Sequence, residues 1–214
     1  MDKKKINLLI KELDHKHRIQ RKLQFLLDVR GYYIVNKIKG DYVELGLYKG
    51  EMLYAAHSIF SKQYDFIRYI GLDTFCGAPS PAAVDKINKY ISKNSYSETL
   101  VKVNKDLNHI TNLELIRGDF RHEQIKKTFN ALSPSVSLAV IDCNWITSIE
   151  ASLSLSFKHM LNGSILYIDD MYISQSEGFV IKQTMYELAD KFSLELEPYT
   201  YYPPFGRAFF VFRV

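Results

Sequence analysis

The sequence has little cysteine. Its two residues of this type, Cys76 and Cys143, form no CxxC pair and no metal-spaced cluster. A disulfide scaffold and a zinc cluster are thereby excluded, and a reducing compartment fits. Also missing is any apolar run of the roughly 20 residues that a membrane span requires. The basic start MDKKKINLLIKELD is interrupted by charge rather than followed by a cleavable apolar segment, so a cytoplasmic protein is expected. No internal repeat or low-complexity tract is visible. Neither sign of charge dominates: 28 Lys and Arg stand against 24 Asp and Glu. The small excess gathers in the first forty residues, in MDKKK, KELDHKHR, QRK and NKIK. A solvated basic helix accounts for that excess, so no nucleic-acid partner is expected. Contact with an anionic polymer or a membrane surface stays open.

What is present suits one folded domain. Hydrophobic residues make up 47% and charged residues 24% of 214 positions, ordinary globular usage in a chain too short for two domains and a long linker. A single domain over 1–214 is expected, with an N-terminal helical segment at 1–39 and a core at 40–214. From Lys4 to about Val29 the apolar residues Ile6, Leu9, Ile10, Leu13, Ile19, Leu23, Phe25, Leu26 and Leu27 follow a largely helical spacing. After Gly40 come short β-prone runs at Asp41–Leu45, Tyr69–Leu72, Leu113–Ile116, Val136–Ile141 and Ile165–Ile168, each followed by a turn and a helix-compatible stretch. Runs apolar on both faces suit a parallel sheet covered by helices, which predicts a doubly wound α/β fold. Two further strand-like runs, Leu194–Tyr199 and Ala208–Val214, flank YYPPFG and predict a C-terminal β-hairpin. Between Cys76 and Asn112 the pattern is least regular. Its GAPSP opening and the polar run from Lys93 to Thr99 read either as a lid over a ligand or as plain surface elaboration.

Five segments carry candidate chemistry. In GDYVELGLYKGEMLYAAHSIF a strand enters a glycine-bearing turn and a helix. Gly46 and Gly50 allow close backbone approach to a ligand, and the helix start offers free amides to an anion. Glu44 at that strand's end can accept from a ligand ammonium, which suits an amino-acid-like cofactor better than a pyrophosphate, and the spacing is not GxGxxG. In YIGLDTFCG, Asp73 closes the second strand, where an acid can hold ribose hydroxyls or simply cap its loop. In LELIRGDF, Phe120 could wall an adenine ring and Asp119 accept from its amine. SLAVIDCNW ends at Asp142, and GSILYIDDM at Asp169 and Asp170. Three carboxylates at neighbouring strand tips repel one another unless a cation or proton is shared. Oxygen-only ligation points to Mg²⁺ or a similar ion, with Asn144 as a further oxygen, while helix capping is the structural alternative for each aspartate.

Taken in order, DYVELGLYKG, GLDTFCGAP, IRGDF, VIDCNW and GSILYIDDM resemble the macrocin O-methyltransferase family, the TylF-like class I methyltransferases that act on sugar hydroxyls. The resemblance spans about Gly40 to Tyr172. It implies a mostly parallel, Rossmann-like, seven-stranded sheet whose last strand is antiparallel. It also implies S-adenosylmethionine bound by Glu44, Gly46, Gly50, Asp73, Asp119 and Phe120, and Mg²⁺ held by Asp142, Asp169 and Asp170. Tyr48, Thr74, Gly118 and Asp142, in the same segments, complete the candidate cofactor-binding set. The chain departs from the family's pattern at Asn144, Trp145 and Ile146, where an acid and a tyrosine are common, and at Met171. Trp145 also stands where catechol-type relatives carry a lysine base. The expected reaction is methyl transfer to a hydroxyl of a small-molecule or saccharide acceptor, aided by the ion. Asp142 and His122 are the candidate catalytic residues, His122 by position only and against the plainer reading of a surface histidine. Alternatives are a metal-independent methyltransferase and a non-catalytic cofactor-binding partner subunit. A homodimer is compatible with the sequence.

Overall fold

The computed structural model describes residues 2–82, 85, 98–172, 180–202 and 206–214. Its first element, α1 (Lys3–Asn36), continues beyond the expected end near Val29. Gly31 and the β-prone YYIV argue for a stop there. The helix persists because Phe25, Leu26, Val29 and Tyr33, spaced by three and four, form a fully buried stripe. Packing of such a stripe outweighs local propensity. The helix ends at Lys37, whose left-handed backbone turns its N–H onto Tyr33 O. The N-terminal half of α1 lies off the core, with Leu8, Leu9, Ile10 and Leu13 exposed.

Strands and helices then alternate: β1 (Asp41–Leu45), α2 (Glu51–Phe60), β2 (Tyr69–Asp73), α3 (Leu100–Asp106), β3 (Leu113–Arg117), α4 (Glu123–Ala131), β4 (Val136–Ile141), α5 (Ile146–Phe157), β5 (Met160–Ile168), α6 (Val180–Lys191), β6 (Leu194–Tyr202) and β7 (Gly206–Arg213). They build one seven-stranded sheet in the order β3-β2-β1-β4-β5-β7-β6. The first five strands run parallel, while β7 is antiparallel to both β5 and β6. The predicted α/β class, the seven strands and the antiparallel last strand are therefore all present. β5 begins earlier than expected, at Met160. Its register against β4 shifts between Val136 and Leu138, and Gly163, at φ 76, takes up the irregularity. The residues joining β6 to β7 (203–205), much of the region read as a lid (83–84 and 86–97), and residues 173–179 lie outside the described residues.

Side chains alternate across the sheet and feed two cores. Val43, Leu45, Ile70, Leu72, Ala139, Ile141, Leu166 and Ile168 pack on one face with α4, α5 and α6 through Phe129, Ile149, Leu153 and Met185. Tyr42, Tyr69, Leu138, Val140, Ile165 and Tyr167 pack on the other with α1, α2 and α3 through Phe25, Tyr33, Leu53 and Val103. At the start of β1 a buried carboxylate is fully matched: the Arg68 guanidinium forks onto Asp41, which also accepts the Ser135 N–H.

Candidate functional site

The chain builds β1, β2 and β3 outwards in one direction and then returns to place β4 on the other side of β1. The strand order reverses there, so the carboxyl ends of β1 and β4 diverge into helices on opposite faces and leave a crevice. Alternation decides which side chains enter it. Glu44 shares a face with Tyr42, Asp142 with Leu138 and Val140, and Asp169 with Ile165 and Tyr167, and that is the face covered by α1. Backbone pairing carries the strands up to this rim: the Asp142 N–H donates to Leu45 O, and the Asp169 N–H to Ile141 O, both at 2.9 Å.

A residue that sequence reasoning missed stands at the centre. Lys22 lies on the buried stripe of α1, three and four residues before Phe25 and Leu26, and the Phe25 ring packs on Tyr167 with centroids 5.0 Å apart. That packing sets the height of the helix, and the Lys22 Nζ donates to Asp142 Oδ2 at 2.9 Å and to Asp169 Oδ2 at 3.2 Å. Burial works against the ammonium, but the two carboxylates outweigh it and raise the lysine above its usual range. Asp169 also accepts a bond from the Tyr167 hydroxyl. Burial pushes Asp169 upwards, yet Lys22 and this hydroxyl hold it below the usual carboxylate range. Asp142 is raised by burial and by the charge of Asp169, with Lys22 opposing. The expected Mg²⁺ site is thus not what these residues assemble. Among the described residues no three His, Cys, Asp or Glu side chains are grouped to hold a metal ion. Two of the three predicted ligands already share an ammonium, and a dication placed between them would meet its repulsion at contact distance. The residues present do not fit the ion.

Glu44 is 2% exposed, and its Oε2 accepts from the Tyr42 hydroxyl at 2.5 Å. Burial pushes its carboxyl up to about 8; the Tyr42 bond pulls the other way, and the charges of Asp142 and Asp73 add to the rise. Glu44 thus feels the charges of Asp142, Lys22 and Asp73 together. Asp73, at the end of β2, accepts backbone N–H groups from Tyr48 (2.9 Å) and Phe75 (2.8 Å), and the Thr74 hydroxyl, 3.3 Å from Asp73 Oδ1, gives its single proton to the nearer Gly77 O at 2.7 Å. Asp73 thus serves as the loop cap that was its structural alternative, and each oxygen keeps a lone pair for a further donor. The two glycines have structural reasons of their own. A Cβ on Gly46, at φ 93, would sit 2.1 Å from Asp142 O, so the bare turn is what lets β4 close against β1. At Gly50, φ 75, a Cβ would meet Leu107 at 2.9 Å. Gly50 gives α2 no side-chain cap, so the first-turn amides stay free for an anion.

No protein-family model matches the chain, and no curated protein matches it in sequence. Solved structures do match in shape. The O-methyltransferase NovP superposes with a TM-score of 0.71 at 18% identity over 90% of this chain and 80% of its own. The calicheamicin methyltransferase CalS11 gives 0.70 at 19% over 91% and 79%. Its apo form, described as a TDP-rhamnose 3'-O-methyltransferase, gives 0.60. The chain has the class I methyltransferase fold. Fibrillarin from Aeropyrum pernix, solved with natively bound S-adenosyl-L-methionine, superposes at 0.50 and 16% over 80% of this chain and 66% of its own.

Within this methyltransferase fold the remaining candidates take varied places. Asp119, beyond β3, is gripped by Arg121, whose Nη2 lies 2.7 Å away and whose Nε bonds both carboxylate oxygens at 3.0 Å. Burial raises Asp119, but Arg121 pulls it below the usual range. Gly118 packs against Ile125, and Phe120 is buried in the core shared with α4 and α5. His122 is exposed and opens α4 after β3, three positions from β4 in the sheet. That exposure is what the surface-histidine alternative describes. Trp145 is buried, and its Nε1 donates to Pro79 O at 3.0 Å. Arg121 reaches Ser80 O and Thr147 Oγ1, and buried Asp85 accepts from the Thr147 N–H at 3.0 Å and from its hydroxyl at 2.7 Å. The segment after β2 is therefore lashed to the start of α5, a use for Trp145 and Arg121 that lay outside the motif reading.

Proposed function

We propose that this protein is an S-adenosylmethionine-dependent O-methyltransferase whose acceptor is a hydroxyl of a sugar or a glycosylated small molecule. One juxtaposition at the switch point carries the reading: buried Glu44, which favours a cation, beside the uncapped N-terminus of α2, which favours an anion. An α-amino acid head group presents that pair of charges, so the residues fit the cofactor. The sugar acceptor draws its support from CalS11, described as a TDP-rhamnose 3'-O-methyltransferase, transfer to oxygen also from the O-methyltransferase NovP, and the TylF-like assignment from the motifs between Gly40 and Tyr172.

When bound, the cofactor supplies an electrophilic methyl group on a sulfonium. The chain's own residues bind and orient. Glu44 accepts from the ammonium, Asp73 uses its remaining lone pairs for ribose hydroxyls, and Tyr48, Thr74, Gly118, Asp119 and Phe120 line the nucleoside side. Asp142, raised from the ordinary carboxylate range, takes the hydroxyl proton as the new C–O bond forms and the S–C bond breaks. Alignment within a water-poor crevice supplies much of the remaining rate. A cytoplasmic enzyme with 1–214 as one domain belongs to this reading, as does a homodimer, which sedimentation velocity checks.

Calorimetry with S-adenosylmethionine and S-adenosylhomocysteine tests it, together with mass spectrometry of nucleotide-sugar and glycoside acceptors. Expected are binding that Asp73→Ala weakens at least tenfold and a product heavier by one methylene. Absence of binding by either nucleoside overturns the proposal. Binding without turnover on any hydroxyl acceptor favours a non-catalytic partner subunit.

A further inference from the structure

The crevice contains a positive charge that no motif supplied. We infer that Lys22 is the built-in cation of the Asp142–Asp169 pair, that it keeps divalent ions out, and that it offers its remaining N–H to an anionic or hydroxyl oxygen in the crevice. Geometry gives the first step. The ammonium lies 2.9 and 3.2 Å from one oxygen of each carboxylate, and side-chain exposures of 26%, 32% and 12% place the trio at the wall of the crevice rather than on open surface. Two exposed ions at such distances would be worth little, but here α1 delivers the lysine from a packed helix whose next turn, Phe25 and Leu26, is fully buried. The side chain is held, and its placement costs little further entropy.

Donor counting gives the second step. An ammonium has three N–H groups and no acceptor. Asp142 and Asp169 take two, and the third can donate to an oxygen arriving at the strand tips. One fixed positive charge then lowers the energy of negative charge developing on that oxygen, the electrostatic part of what a divalent ion would do, without a change of coordination. This role towards an acceptor rests on the methyltransferase reading above; the exclusion of divalent ions does not.

Manganese titration followed by electron paramagnetic resonance tests the exclusion on the whole chain, with no cofactor or acceptor present. The wild type and Lys22→Arg are expected to bind Mn²⁺ no tighter than millimolar. Lys22→Met, which keeps the stem and leaves two carboxylates unpaired, should gain a site roughly tenfold tighter or more, lost again in Lys22→Met with Asp169→Asn. Circular dichroism confirms that each variant is folded, and Lys22→Ala stands in if Lys22→Met is not. Wild-type binding as tight as that of Lys22→Met overturns the inference, and so does absence of binding in every variant. In methyl transfer, exhaustive chelation should leave wild-type turnover unchanged, whereas a loss restored by Mg²⁺ overturns it. Because the resonance signal needs no methyl donor, failure of the methyltransferase reading and failure of this inference are told apart.

Discussion

Glu44 makes the cofactor reading quantitative. In the free protein its carboxyl titrates near 8 because it is 2% exposed and faces Asp142 and Asp73. An arriving ammonium needs the carboxylate, so binding must first remove the proton. If the bound carboxylate titrates well below 5, the penalty on the association constant is the factor 1 + 10^(pKa − pH), which falls from about 101 at pH 6 to about 11 at pH 7. S-adenosylhomocysteine should therefore bind about ninefold tighter at pH 7 than at pH 6, roughly 1.3 kcal/mol, over a range where its own amino group stays charged. Calorimetry at pH 7 in buffers of different ionisation enthalpy should report about 0.9 proton released per ligand. Glu44→Gln replaces the neutral acid with a near-isostere that has nothing to ionise, so both signals should vanish. A wild-type affinity flat between pH 6 and 7, or the same slope in Glu44→Gln, refutes the assignment of Glu44 as the ammonium partner.

The same group predicts a stability profile: a buried acid whose folded value lies above its usual 4.5 favours the fold while protonated, so stability declines as pH rises from about 4.5 towards 8. In denaturant titrations at pH 8, Glu44→Gln should be the more stable protein. Gly46→Ala combines a left-handed backbone with a Cβ 2.1 Å from Asp142 O and should cost more than about 2 kcal/mol in urea unfolding, with loss of cofactor binding. Asp85→Ala strands the Thr147 N–H, the Thr147 hydroxyl and the Ala82 N–H, a loss of about 2–4 kcal/mol, and limited proteolysis should then cut after β2 faster than in the wild type. Phe25→Ala removes the ring that seats α1 on Tyr167, and at about 3–5 kcal/mol it should also loosen Lys22, seen as new Mn²⁺ binding.

Strand positions, their order along the chain and the acids at their tips were legible in the sequence because each depends on a few adjacent residues. A run buried on both faces must be apolar throughout, and a strand that ends at a crevice can place an acid there. The length of α1 was not legible, since GYYIVN is a poor helix by local preference and is held helical by burial of Tyr33. Nor were the partners of the acids. Lys22 reads as one more charge in a basic helix, 120 and 147 residues from Asp142 and Asp169, and only the packing of α1 across β4 and β5 brings its ammonium between them. The Arg121 fork on Asp119 was no more legible, although the two residues are only two apart. Local sequence sets which residues reach a strand tip, because alternation along a strand is covalent geometry. What stands opposite them is fixed by how helices seat on the sheet, and that is a property of the whole core.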